Sequence, residues 1–383
     1  ANITCDDDVM TSLAPQPAST QPDVSRRSAE PSCCLAMCQP PPKLPLAAPT
    51  RSYLQSTPGE RRLGFAAAST FSVIYYLAPV YIAYAVAYAC LGSQTAKKWA
   101  LASPLLLSLC VPGKWLPTLG GVILRSRAMR QIPKYFRFEE YHELSDGEVA
   151  ARTKSGERFV FCFHPHGVFP FVATCAMISS FGAPCDAGGD AVYYPGSPAE
   201  DFPTAVASVL RWIPLLKDVV GLFGVMDASA AVFKKRLARG SAALYVGGML
   251  ELFSSSRDRE AVILSRRKGF VKLALRSGAD LVPSYMFGNT TVLEALTAGP
   301  LAALSRAAGV SFTLFWGRWG LPLPRPVKLV FARGRPLGLP HIPEPTAADV
   351  DKYHALYCAK LLELFDNYKK HNPDYARKSL EVE

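Results

Sequence analysis

Apolar and polar positions divide this 383-residue chain into three stretches. Up to about residue 60 there is no periodicity. Pro, Ser, Ala and Gln dominate, with Gln39-Pro40-Pro41-Pro42 as a typical run. Such a stretch buries too little apolar surface to offset the entropy of ordering, so a disordered tail is expected over 1–60. From Leu63 to Ala96 no side chain is charged. Runs such as Phe71-Ser72-Val73-Ile74-Tyr75-Tyr76-Leu77 are apolar on every face, and about 20 such residues cross a bilayer. After Lys97-Lys98 a second apolar stretch, Trp99 to Leu124, is broken only by Lys114. It reads as a second span or as one arm of a re-entrant hairpin. Arg61-Arg62 precede the pair and Arg125, Arg127 and Arg130 follow it, which puts both flanks in the cytosol. A membrane-embedded hairpin is therefore expected over 61–130. The competing reading, a buried helical core, fits poorly with so long an uncharged run. Pro79, Pro104, Pro112 and Pro117 leave the ends of the spans open.

From Ile132 onward short apolar runs alternate with helical periods. Strands are expected at Phe159–Phe163, Ala242–Val246, Leu281–Tyr285 and Val327–Phe331. Helices are expected at Val172–Ser180, Thr204–Leu210, Ala228–Arg239, Lys268–Ser277 and Thr346–Lys370. In the last, Val350, Tyr353, His354, Tyr357, Leu361, Leu364, Phe365 and Tyr368 recur at helical spacing behind a Pro345-Thr346 start. The alternation predicts an α/β fold, a sheet flanked by helices, in a cytosol-facing domain over 131–383.

Composition adds two constraints. Hydrophobic residues make up 49% and charged residues 19%, which agrees with membrane contact. The net charge of +11 points to an anionic partner, a lipid headgroup or a phosphate-bearing substrate. The basic residues are dispersed and no basic-aromatic motif appears, which sets nucleic acid aside. The ten cysteines are scattered between the apolar runs and the tail. That fits reduced thiols facing the cytosol, not a disulfide framework.

Chemistry concentrates where strands end. Phe159-Val160-Phe161-Cys162-Phe163 runs into His164-Pro165-His166-Gly167, a pair of histidines at a tight turn. Three readings stand at this point: a general base held at a rigid strand end, structural caps, or two of the ligands a metal needs. A second apolar run ends in Gly247-Gly248, with Glu251 just beyond. Paired glycines expose N–H groups suited to an oxyanion, and a carboxylate here is placed to orient an imidazole. A glutamate at a helix start is the plain alternative. Third, Arg266, Arg267 and Lys268 cluster before an amphipathic helix, a setting that suits phosphates or solvated surface charge.

Together these elements resemble the type-2 diacylglycerol acyltransferase family, which includes monoacylglycerol and wax-alcohol acyltransferases. The matching residues are His164-Pro165-His166-Gly167, Gly247-Gly248 with Glu251, and Arg267-Lys268-Gly269-Phe270. They continue through Ala279-Asp280-Leu281-Val282-Pro283 to Phe287-Gly288, then Arg325-Pro326 and Tyr353-His354 through Leu364-Phe365. The likeness covers about residues 61 to 383. It implies a mixed sheet of the glycerolipid-acyltransferase type and acyl transfer from acyl-CoA to diacylglycerol at the endoplasmic reticulum, with lipid droplets as a further location. His166, His164 and Glu251 are then catalytic. Gly167, Gly247 and Gly248 form the oxyanion turn, and Arg266, Arg267, Lys268, Gly269 and Phe270 bind acyl-CoA. No cofactor or metal is implied, acyl-CoA being a co-substrate, and a homo-oligomer is left open. Asn289 stands where many members carry Glu, and the stretch between Gly167 and Ala205 is unusual; both bear on the acceptor. Monoacylglycerol, long-chain alcohol and sterol remain alternatives, as do an acyl-enzyme through Cys162 and a non-enzymatic lipid-binding protein.

Overall fold

The first half of a long, mostly apolar helix packed on the helices beside a mixed sheet organises the computed structural model, which describes residues 48–182, 202–248, 251, 259–300, 303 and 314–383. Among these residues the strands are β1 (Arg51–Ser52), β2 (Glu139–His142), β3 (Phe159–His164), β4 (Thr204–Val206), β5 (Val225–Asp227) and β6 (Ala242–Tyr245). They continue with β7 (Glu260–Val262), β8 (Asp280–Phe287), β9 (Glu294–Ala295), β10 (Phe315–Trp316), β11 (Val330–Arg333) and β12 (Leu380–Val382). Eight of them form one sheet in the order β1-β2-β11-β8-β3-β6-β4-β5. β3 lies parallel to both β6 and β8, while β8 meets β11 antiparallel, so the sheet is mixed.

The central position of β3 follows from its residues. A strand covered on both faces must be apolar on both, and Phe159 to Cys162 are buried without alternation. On one face Val160 and Cys162 pack with Leu281, Tyr285 and Phe287 of β8 beneath the helices Gly269–Ser277 and Ala347–Tyr368. On the other, Phe171, Val172, Cys175 and Ile178 of the helix Phe171–Gly182 pack with Met286, Phe331 and Phe136.

The four expected strands and the longest expected helix are present, with β11 displaced to Val330–Arg333. Thr204–Leu210 is not a helix. Thr204–Val206 forms β4 between β5 and β6, and a short 3-10 turn, Ser208–Arg211, follows. Seven residues give too few turns to separate the two periods, and lateral pairing decides. β2 was not expected because it opens Glu139-Glu140. Both carboxylates are buried but matched, Glu140 by Arg51 at 2.7 Å and Glu139 by Lys328 at 2.6 Å.

The same pairing corrects the expected tail boundary. Arg51 and Ser52 pair with Glu140 and Glu139, and a helix begins at Pro58 behind a Thr57–Glu60 capping box. Ordered chain thus starts before residue 60, and the expected disorder of 1–47 lies outside the described residues.

The helix Pro58–Leu91 has 34 residues, about 51 Å at 1.5 Å per residue. Its first half is docked on the domain. Ala67, Ala68 and Phe71 are buried, and a Cβ on Gly64 would sit 2.2 Å from the Gln131 carbonyl. Beyond Leu77 large apolar side chains stand exposed, with Val80 61% and Leu91 87% accessible. The helix Thr95–Cys110 doubles back along it, and the Tyr81 hydroxyl donates to the Leu101 carbonyl at 2.8 Å. A 74° break at Val111-Pro112-Gly113 then separates it from the apolar run ending at Leu124. Among the described residues only Pro58–Leu91 is by itself long and apolar enough to cross a membrane. The expected second stretch meets that length only as a bent pair.

Candidate active site

Parallel pairing of β3 with β6 puts Phe163 opposite Tyr245, so the turns after both strands open on the same edge of the sheet. Within the sheet the next strand after β3 is β4, beyond β6, and the next after β6 is β8, beyond β3, so the two connections run in opposite directions. Adjacent strand ends whose loops diverge are where α/β sheets form ligand crevices.

His164 closes β3 and is fully buried. Its Nδ1 lies 3.0 Å from Glu251 Oε1 and its Nε2 lies 2.9 Å from the Tyr357 hydroxyl. A carboxylate only accepts, so Nδ1 carries the proton; Nε2 then accepts from Tyr357. Both ring nitrogens are thereby engaged, and a metal at this pair would have to displace Glu251 or Tyr357. The other Glu251 oxygen, Oε2, accepts from the backbone N–H of His166 at 3.0 Å. One buried carboxylate thus ties the ring of the first histidine to the main chain of the second.

The glycines make this fit. A Cβ on Gly247 would lie 2.2 Å from Glu251 Oε1, so the first glycine of the pair clears the space the carboxylate fills. Gly167 has φ +64°, and a Cβ there would lie 2.7 Å from the Asn289 amide nitrogen. That side chain braces the turn. Its Nδ2 donates to the carbonyls of Pro165 at 3.2 Å and His166 at 2.6 Å, and its Oδ1 accepts from Val172 N–H at 3.2 Å. Gly248, at φ +56°, has open space where a Cβ would point.

His166 is in a different state from its neighbour. Its Nδ1 lies 2.7 Å from the Gly167 carbonyl, so that nitrogen donates and Nε2 holds the lone pair, which no described residue engages. The ring is half-buried against Tyr245, with centroids 4.7 Å apart. Burial lowers its pKa below the usual 6.5, which leaves it neutral at pH 7. Glu251 therefore holds the His166 main chain, and the Gly167 carbonyl orients its ring.

The basic block divides. Phe270 is buried and packs edge-on to Tyr357 with centroids 5.0 Å apart, so it supports the residue that contacts His164. Lys268, just before the helix Gly269–Ser277, pairs with Asp351 at 2.6 Å on the surface. Arg266 is exposed and Arg267 half-exposed. Cys162 is sealed in the core and burial pushes its thiol pKa far up, so it is no thiolate nucleophile. Tyr357 and Tyr245 were not singled out from the sequence. Tyr357 sat in a helical stripe read as core, and nothing local marked its hydroxyl.

The model of the family described as diacylglycerol acyltransferase matches residues 124–382. Human diacylglycerol O-acyltransferase 2-like protein 6 is 33% identical over 233 residues, which cover 55% of this chain and 66% of that protein. Mouse diacylglycerol O-acyltransferase 2 is 31% identical over 230 residues, covering 55% of this chain and 56% of its own. Human 2-acylglycerol O-acyltransferase 3 is 32% identical over 272 residues, covering 66% of this chain and 76% of its own. The match thus spans 66% and 56% of the first two relatives' lengths. Among solved structures, a 1-acyl-sn-glycerophosphate acyltransferase from Thermotoga maritima overlaps 77% of this chain and 96% of its own. The overlap has a TM-score of 0.36 and 12% identity.

Proposed function

Because the chain belongs to the diacylglycerol acyltransferase family, we propose that it transfers an acyl group from acyl-CoA to the free hydroxyl of diacylglycerol, with His166 as the general base. The supporting observation is the arrangement around Glu251. It engages the ring of His164 and the main chain of His166, and His166 Nε2 keeps a neutral lone pair at the sheet edge that no described residue engages. His164 is a positioning residue in this reading.

His166 Nε2 takes the hydroxyl proton as the oxygen attacks the thioester carbonyl carbon. The carbonyl π pair moves onto its oxygen, where N–H groups of the turns at Gly167 and Gly247-Gly248 stabilise the charge. Collapse re-forms the carbonyl and breaks the C–S bond. The thiolate leaves and takes the proton from His166 to give CoA thiol. Thiolate leaves readily, so the step needs no metal. Arg266, Arg267 and Lys268, beside the start of the helix Gly269–Ser277, suit the CoA phosphates.

The membrane part of the proposal is a hairpin that enters and leaves on the cytosolic side of the endoplasmic reticulum. The exposed arms, residues 77–91 and Thr95–Cys110, are each about 23 Å long against a hydrocarbon core of about 30 Å. An element that enters and leaves from one side also fits the monolayer of a lipid droplet.

The test is His166→Ala, assayed for triacylglycerol formation in microsomes. Activity is expected to fall to background at unchanged expression, and near-normal activity would overturn the base assignment. Expression in yeast lacking neutral-lipid synthesis, followed by lipid analysis, checks the acceptor. Triacylglycerol is expected, and wax or sterol esters instead would replace diacylglycerol as the acceptor.

A further inference from the structure

Tyr245 has no place in the mechanism above, yet it stands beside the proposed base. It ends β6 directly opposite Phe163, two residues before the paired glycines. Its ring lies 4.7 Å from the His166 imidazole centroid at 60° and 5.4 Å from the Phe163 ring, also at 60°. Packing against two aromatic neighbours limits how the ring can turn. Buried tyrosine hydroxyls normally find a partner. Those of Tyr285, Tyr357 and Tyr135 do so, on Glu260, His164 and the Pro324 carbonyl. Among the described residues the Tyr245 hydroxyl has no hydrogen-bond partner, and the residue as a whole is half-buried. A rigid aromatic hydroxyl that no described residue engages, at the edge that carries the proposed base, is placed for a ligand atom.

We propose that the Tyr245 hydroxyl is a catalytic donor to the thioester oxygen of acyl-CoA, completing with the glycine-turn amides the site that holds the tetrahedral oxyanion. The inference rests on His166 being the base. Burial raises the Tyr245 pKa far above its usual value, so the group stays protonated and keeps its proton to donate. In the step, the hydroxyl proton of the acceptor goes to His166 Nε2 as the O–C bond forms. The π pair then sits on the thioester oxygen, and the Tyr245 O–H hydrogen bond to it shortens without proton transfer. The pair returns when the C–S bond breaks and CoA thiolate takes the proton from His166. Because that charge exists only in the transition state, the hydroxyl acts on kcat more than on KM.

Tyr245→Phe removes the hydroxyl and keeps the ring against His166 and Phe163. Full-length protein in microsomes or nanodiscs is expected to show kcat about 100-fold lower. KM for acyl-CoA, the melting temperature and the pH of the acid limb are expected to stay unchanged. Wild-type kcat, or a raised KM with kcat intact, would overturn the proposal. A displaced acid limb would also overturn it, because Tyr245 would then act through His166. Tyr245→Leu, which removes the ring as well, is expected to disturb the acid limb and separates loss of packing from loss of the donor. If His166→Ala is inactive while Tyr245→Phe is normal, only the role of Tyr245 fails. Activity surviving in His166→Ala removes the base assignment and this inference with it.

Discussion

The two histidines of a four-residue turn have different lone pairs to offer, and the difference lies in what each nitrogen touches. His164 donates to a carboxylate and accepts from a phenol; His166 donates to a carbonyl and keeps Nε2 free. Two predictions follow at this scale. Burial depresses the His166 pKa, so the group binds a proton less readily folded than unfolded. Its neutral form is intact above the ordinary value near 6.5. Both stability and the basic lone pair are lost as pH falls below that value toward the folded pKa. The acid limb of kcat/KM is therefore expected to lie below pH 6.5, and a limb above it would show that another group titrates. Glu251→Gln faces the His164 Nδ1 donor with either an amide N–H or an amide oxygen that leaves His166 N–H without its acceptor. A buried mismatch of this kind costs about 1–3 kcal/mol. Urea denaturation is expected to show that loss together with reduced kcat. Of this site, the histidines, Glu251 and the glycines were legible as motifs. Asn289 was legible only as a departure, and the hydroxyls of Tyr357 and Tyr245 not at all, because partners 193 and 79 residues from the turn leave no local signal.

Elements were readable where one period ran long enough to exclude the other. The helix Ala347–Tyr368 covers 22 residues behind a Thr346–Asp349 capping box, and its apolar stripe is the face that carries Tyr357 into the core. Thr346→Ala is expected to lower stability by about 1 kcal/mol in denaturant titration, with activity per folded molecule retained, since the cap is exposed and far along the helix from Tyr357. Short elements gave way to their neighbours. Thr204–Val206 took strand geometry from β5 and β6, and β2 tolerates Glu139-Glu140 because Arg51 and Lys328 arrive from distant sequence. Gly247 is also an element-scale device, ending β6 and admitting the Glu251 carboxylate. Gly247→Ala is expected to abolish activity while the melting temperature falls only modestly, because the clash is with one side chain.

At the scale of the whole molecule, the long apolar helix serves two surroundings. Its first half is packed on the domain through Gly64, Ala67, Ala68 and Phe71; its second half, with Thr95–Cys110, presents apolar side chains outward. The arms are shorter than a bilayer core, which argues for a re-entrant hairpin over two spans. A variant retaining Cys90, near the tip, as its single cysteine is expected to resist a membrane-impermeant maleimide from either side of sealed vesicles. Labelling from the lumenal side would instead show a complete span.

By itself the sequence determined that a long charge-free run precedes an α/β domain, and that histidines and a glutamate gather where apolar strands meet glycine turns. Both properties are local, set by hydropathy over a helix length and by what a turn demands of its residues. Only the tertiary structure decided that β3 and β6 are neighbours, that Glu251 joins His164 to His166, and that the Arg51 strand closes the sheet edge. It also decided which histidine is locked and which is free. Hydrogen-bond partners far apart in the chain settle that, and pairing across a sheet leaves no period for a sequence to show.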